Sequence, residues 1–199
     1  ENTGERSFIV EHSSLNTYSQ DDLVKTIADT KQKQFSHVFV QPYIGEMVYK
    51  YLEEVQDCSV WLMTQDLPPG HPAIGLTDCV QVSWAENSVI DKSRLMHFAD
   101  SYFHKRTREI LVTAGSHGVA YLNNNGEYYF VAAPKVATVD TTGCGDAFRA
   151  GFMYGRWRNY SPETCVKMGV ACGSIKAERF GSHYFISTSE LAGRLSKII

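Results

Sequence analysis

Short apolar runs alternate along this chain with longer stretches whose apolar positions recur every three or four residues. Val38-Phe39-Val40, Ser59 to Thr64 (Ser-Val-Trp-Leu-Met-Thr), Cys79 to Trp84 and Glu109 to Thr113 are short, rich in β-branched and aromatic residues, and read as buried strands. Ser7 to His12 reads as another. Between them the spacing becomes helical. Ser19 precedes such a stretch, with Asp22 three residues on as a capping-box partner and Leu23, Ile27 and Ala28 on one face. Met47, Val48, Tyr51, Leu52 and Val55 predict a helix over 44–56, and Asp91 to Lys105 predicts a third. Pro68-Pro69-Gly70 is a turn. Val119 to Leu122 and Tyr128 to Ala132 flank Asn123-Asn124-Asn125-Gly126, a hairpin pattern.

The last third is helical: about Gly145 to Arg158, Pro162 to Glu178 and Glu190 to Lys197. Ser161-Pro162-Glu163 supplies an N-cap and a proline at the first helical position, and Ser187 to Glu190 is a second capping box. Strands separated by helices of this length need parallel crossovers, so the pattern predicts an α/β fold with a three-layer α/β/α sheet. No repeat, low-complexity segment or linker interrupts it.

Composition narrows the function classes. A chain of 199 residues with 43% hydrophobic and 12% aromatic residues has the makings of a folded core. A net charge of −3 with scattered Lys and Arg gives no basic surface, so nucleic acid is not an expected partner. No apolar run nears the roughly 20 residues of a membrane helix, and the first residues lack the order of a signal peptide. Five cysteines without a C-x-x-C pair argue against disulfides or structural zinc and for a reducing, cytoplasmic setting.

The chemistry concentrates in Val139-Asp140-Thr141-Thr142-Gly143-Cys144-Gly145-Asp146-Ala147-Phe148-Arg149-Ala150-Gly151-Phe152. Two glycines around one small residue permit a tight turn into a helix. The first helical turn leaves amide N–H groups unpaired beside a partial positive charge, which suits a phosphate. Gly143, Cys144 and Gly145 would hold it through backbone. A carboxylate at the edge of such a site is unfavourable unless it has a task, such as taking a proton from an attacking hydroxyl, and that residue is Asp146. The plain alternative is a helix-capping Asp. A dinucleotide fingerprint G-x-G-x-x-G fails because Phe148 stands at the third glycine, and no Walker pattern G-x-x-x-x-G-K-[ST] occurs. A Cys at a helix start favours thiolate, but no His stands at a spacing suggesting Cys144 as a nucleophile.

This stretch resembles the C-terminal signature D-T-x-G-A-G-D-x-F of the ribokinase, or PfkB-type carbohydrate kinase, family, departing from it at Cys144. The resemblance implies a ribokinase-like fold, Asp146 as catalytic base, and Gly143, Cys144 and Gly145 as the amides facing the transferring phosphoryl group. It places Asp140 near the monovalent-cation (K⁺) site of several members. Thr113-Ala114-Gly115-Ser116-His117-Gly118 looks like the family's T-x-G-x-x-G loop, implying that Thr113, Gly115, Ser116 and Gly118 contact ATP phosphates. Ser83-Trp84-Ala85-Glu86 stands where the family has N-x-x-E, which implies Mg²⁺ organised by Glu86 through water. Ala171 to Gly181 resembles the adenine border, with Gly173, Ala177 and Gly181 as wall residues.

The resemblance covers essentially the whole chain but only the later two thirds of a family member. Residues 1–18 then read as a remnant of the lid and substrate side, and 19–199 as the nucleotide-binding and phosphotransfer domain. A sheet incomplete at its N-terminal side would need a second copy or a partner chain to cover it. The expected activity is ATP-dependent phosphoryl transfer to a hydroxyl of a sugar, nucleoside or similar small molecule. The alternative is a nucleotide-binding or regulatory module without turnover.

Overall fold

Ser19 opens the first helix through a reciprocal cap. Its hydroxyl accepts the Asp22 N–H at 3.2 Å while the Asp22 carboxylate accepts the Ser19 N–H at 3.0 Å. The resulting α1 (Gln20–Lys33) ends at Gln34, whose φ of 49° is left-handed. The buried face follows the apolar spacing only in part, with Ile27 half-buried. Leu23 and Thr30 are buried while Ala28 is exposed. Thr30 is accommodated because its hydroxyl donates to Thr26 O at 2.8 Å and lies 3.0 Å from the buried Tyr51 hydroxyl. The computed structural model describes residues 19–40, 46–64, 68–84, 91–182 and 184–198. The strand expected at Ser7 to His12 and the start of the 44–56 helix lie outside these ranges.

The remaining helices are α2 (Glu46–Glu54), α3 (Lys92–Asp100), α4 (Cys144–Trp157), α5 (Pro162–Ala177) and α6 (Thr188–Leu195). The strands are β1 (His37–Val40), β2 (Ser59–Thr64), β3 (Cys79–Ser83), β4 (Glu109–Thr113), β5 (Gly118–Asn123) and β6 (Tyr128–Ala132), hydrogen-bonded in chain order in an α/β sheet. β1 and β2 are parallel across α2 with His37 opposite Ser59, and β2 and β3 are parallel with Trp61 opposite Cys79, their connection carrying a 3₁₀ turn at Ile74–Leu76. The expected hairpin is present, with Gly126 at φ 82° in its turn. Among the described residues no helix is long and apolar enough to cross a membrane.

The chain divides into two compact units. The crossover unit holds the described residues up to Val112 together with Leu122–Tyr128. Its core is aliphatic: Leu52, Val60, Leu62, Ile74, Val80, Leu95 and Ile110 are all essentially inaccessible. β3 is buried from Cys79 to Val82 on both faces, as a covered parallel strand must be. At its amino end Arg106 grips Asp78, with Nε at 3.0 Å and Nη2 at 2.7 Å, and also donates to Cys58 O at 2.7 Å. α3 stops at Asp100, before the Lys105 that the pattern predicts. The chain turns there so that Arg106 reaches Asp78 and the buried Thr107 hydroxyl donates to Ile74 O at 2.9 Å.

The second unit, Thr113–Tyr121 with the described residues from Tyr129 onward, is built on α4 and α5. Their contact is lined by glycine. A Cβ on Gly151 would stand 2.7 Å from Cys172 Sγ and Met168 O, and one on Gly169 would stand 2.6 Å from the Phe148 ring. Gly155 meets Cys165 Sγ at 2.9 Å in the same sense. The helices therefore approach more closely than any side-chain-bearing pair could. Capping follows expectation: Ser161 Oγ accepts the Thr164 N–H, and Ser187 and Glu190 form the second reciprocal cap, with α6 beginning two residues before Glu190.

Candidate active site

The segment ahead of α4 is pinned to the end of α5. The Val139 and Asp140 N–H groups both donate to Ala177 O, at 2.7 and 3.2 Å. The Asp140 carboxylate then closes the turn on itself. Oδ1 accepts the Thr142 N–H at 2.8 Å and the Thr142 hydroxyl at 2.6 Å, and Oδ2 accepts the Gly181 N–H at 2.9 Å. These bonds, those from Thr142 foremost, hold its pKa down at about 2. Gly143 has φ 77°, which favours glycine, and a Cβ there would lie a tight 3.1 Å from Ser182 O.

From Gly143 the chain enters α4 directly. Of the three amides expected to hold phosphate, that of Cys144 donates to Thr141 O at 3.2 Å. The next helical bond runs from Ala147 N–H to Gly143 O at 2.9 Å. The N–H groups of Gly145 and Asp146 lie between these two and have no acceptor among the described residues. Two amides and the positive end of a 14-residue helix thus face outward at one point. Asp146 sits on the same turn with its side chain 65% exposed, 3.3 Å from Nη2 of the largely buried Arg149.

A second set of amides belongs to the same unit. β4 ends at Thr113, and Gly115–His117 forms a single 3₁₀ turn closed by Ala114 N–H to Gly118 O at 2.8 Å. Gly115 and Ser116 are exposed and their N–H groups have no acceptor among the described residues. Gly118 cannot be replaced: at φ 128° its Cβ would lie 2.1 Å from Val131 O.

The residues expected to border adenine serve packing or pinning. Gly173 lets Cys144 O approach to 3.2 Å of where its Cβ would stand, Ala177 O receives two N–H groups, and Gly181, at φ 83°, donates to Asp140. Asp140, Gly143, Cys144, Gly145, Asp146, Gly173, Ala177 and Gly181 are thereby brought together, and Thr113, Gly115, Ser116 and Gly118 lie in the same unit. Glu86 lies outside the described residues.

Two residues escaped the motif reading. Arg149, three positions after Asp146, is visible in sequence as an i,i+3 pair. Lys176 is not: it is 2% exposed, and its ammonium donates to Asp140 O at 3.2 Å and Arg179 O at 2.9 Å. A monovalent cation on Asp140 does not fit these residues. Both acceptor directions of Oδ1 and one of Oδ2 are taken by chain donors, and an ammonium sits on the carbonyl.

Comparison with known proteins bears on this arrangement. The model of the pfkB family of carbohydrate kinases matches residues 85–189. The 2-dehydro-3-deoxygluconokinase of Haemophilus influenzae is 28% identical over 164 residues, covering 80% of this chain and 48% of the relative. Adenosine kinase 2 of Arabidopsis thaliana is 30% identical over 166 residues, covering 81% and 46%. The chain thus spans about half the length of the curated relatives it matches. Among solved structures, E. coli ribokinase II in complex with ATP and Mg²⁺ superposes with a TM-score of 0.74 at 19% identity, covering 98% of this chain and 68% of that one. Arabidopsis thaliana ribokinase complexed with ribose and ATP gives 0.72 at 21% identity, covering 89% and 59%. The fold is therefore ribokinase-like.

Proposed function

This chain belongs to the pfkB family of carbohydrate kinases, and from that premise we propose that it handles ATP and phosphoryl transfer in a kinase whose acceptor is a hydroxyl of a sugar, nucleoside or similar small molecule. The observation that carries the proposal is the turn at Gly143. It aims the Gly145 and Asp146 amides outward at the start of α4 and puts the Asp146 carboxylate on the same turn. A phosphoryl group held by those amides meets donors already oriented, so little reorganisation is needed as charge spreads over its oxygens. Asp146 accepts the proton of the attacking hydroxyl. Arg149, donating to one carboxylate oxygen, leaves the other for that proton and fixes the rotamer. The Gly115 and Ser116 amides hold the phosphates on the leaving side. Mg²⁺ organised through Glu86 would neutralise phosphate charge. The relatives named above are kinases, so the alternative of a module without turnover finds no support among them.

The test is phosphoryl transfer from ATP to a panel of sugars, deoxy sugar acids and nucleosides, run beside Asp146→Asn. Asn preserves size and helix-start preference. The variant is expected to fold normally and bind nucleotide as well as or better than the parent, while turnover falls by about 10²-fold or more. Near-normal turnover in a nucleotide-binding variant would remove Asp146 from the role of base.

A further inference from the structure

Lys176 is a buried cation. It lies at the penultimate position of α5 and is 2% exposed, in a stretch otherwise made of small and apolar residues, Cys172-Gly173-Ser174-Ile175 and Ala177. Burying an ammonium is costly unless its donors and its charge are both matched. Two of its three donors are taken by backbone carbonyls, Asp140 O at 3.2 Å and Arg179 O at 2.9 Å. The Asp140 carboxylate, whose acidity is set chiefly by its bonds from Thr142, forms no close ion pair with this ammonium and attracts it only at longer range.

The two carbonyls come from different segments. Asp140 opens the turn that delivers Gly143, Gly145 and Asp146, and Arg179 opens the turn that delivers Gly181. Those turns are already crosslinked by Gly181 N–H to Asp140 Oδ2, and Ser182 O lies against Gly143. Lys176 is therefore a post to which both are tied. Backbone carbonyls converging on one positive charge beside a carboxylate are also the ligand set that a dehydrated monovalent cation takes up. Here the charge arrives on a side chain, and three of the four acceptor directions of the Asp140 carboxylate are spent on Thr142 and Gly181.

We propose that the Lys176 ammonium is a built-in cation that positions the 140–146 turn against the 178–182 turn, so that nucleotide binding by this chain does not depend on K⁺ or any other free monovalent cation. Lys176 is a positioning residue, and the proposal rests on the reading of the 143–146 turn as a phosphate site.

The test uses the 199-residue chain, the non-hydrolysable probe adenylyl imidodiphosphate, and chloride salts of choline, sodium, potassium and ammonium at matched ionic strength. For the parent chain, affinity and melting temperature are expected to be the same in all four salts. A tightening of about tenfold in potassium, or a saturable rise in melting temperature with potassium, overturns the proposal. Lys176→Ala is expected to lose about tenfold or more in affinity, and saturating ammonium or potassium, but not choline, restores it by occupying the vacated carbonyl cage. Lys176→Met fills the stem and is expected to lose affinity without rescue. An alanine variant that binds like the parent, or one that is weakened and indifferent to cations, marks Lys176 as ordinary packing. If the parent binds no nucleotide, the phosphate-site reading fails, and Lys176 is judged by melting: cation-insensitive in the parent and cation-rescued in Lys176→Ala. If neither variant folds, the salt series on the parent decides.

Discussion

The two units are held together by opposite means. The crossover unit is filled with branched aliphatic side chains, Leu52, Val60, Leu62, Val80 and Ile110, and its polar staple lies at the amino end of β3, between Asp78 and Arg106. The second unit brings α4 and α5 together over positions with no side chain at all, Gly151, Gly155, Gly169 and Gly173. An aliphatic core accepts exchanges of similar volume because neighbours can change rotamer. A contact of backbone against ring or carbonyl cannot adjust in that way. The candidate site stands on the second kind of contact: Cys144 O rests against Gly173, and Gly143 against Ser182 O. Position, which phosphoryl transfer needs most, is thus specified where adjustment is least available.

The widest separation between the units should appear on adding one methyl group. In Gly169→Ala the new Cβ would lie 2.6 Å from the Phe148 ring and 2.8 Å from Phe148 O. Overpacking of this kind costs up to about 3 kcal/mol, only partly offset by the roughly 1 kcal/mol that alanine gains over glycine in a helix. A net loss of about 2 kcal/mol is expected in urea unfolding, with weaker nucleotide binding because Phe148 shares a turn with the 143–146 amides. Leu62→Met, in the crossover core, should cost less than about 1.5 kcal/mol and leave binding alone. Equal costs at the two positions would erase the distinction.

How much of this was legible in sequence follows the same division. Local devices could be read directly: the caps at Ser19 and Ser187, the proline after Ser161, and the glycine-bounded signature from Asp140 to Asp146 depend on residues within a few positions of each other. Features that depend on distant partners could not. Thr30 replaces Ala28 on the buried face because Tyr51, 21 residues on, meets its hydroxyl. Lys176 looks like a surface lysine until the carbonyl of Asp140, 36 residues away, is placed beside it. The use of the Cys144 amide within its own turn depends on backbone angles that a motif does not encode. The family signature names the residues of the candidate site but not which of their amides lack an acceptor among the described residues.

Acid acts on both units, since Asp22, Glu54 and Asp91 of the crossover unit are also lowered, but its largest shifts lie in the second. Asp140 and Glu190 both belong to the second unit, and both are held at about 2, below the ordinary values of 3.8 and 4.5. Thr142 is the main cause for Asp140, and the Tyr184 hydroxyl for Glu190. For a carboxylate with a lowered folded pKa the stabilisation is complete above its unfolded value and disappears as pH falls through the folded one. Urea midpoints should therefore decline between about pH 4.5 and 2. Asp140→Asn should begin less stable at neutral pH and show a shallower decline. A variant as acid-sensitive as the parent would mean that the Thr142 and Gly181 bonds do not act on the ionised form.

The smallest effect has the opposite sign and tests the reasoning most directly. Gly193 lies on α6 in the same unit, is exposed, has no positive φ, and a Cβ built on it meets nothing within 4 Å. Every reason for retaining glycine at Gly169 is absent there. What remains is the conformational entropy that glycine loses on entering a helix, about 0.5–1 kcal/mol relative to alanine, less near a helix end where fraying is already present. α6 ends at Leu195, so Gly193→Ala should raise stability by about 0.5 kcal/mol and leave nucleotide affinity unchanged. Two glycine-to-alanine changes in one unit would then move stability in opposite directions, separated only by what the added methyl meets. A loss of stability at Gly193 on the scale of that at Gly169 would mean that the glycines of this unit are kept for chain flexibility and not for close approach, and the contrast between the two units would fail with it.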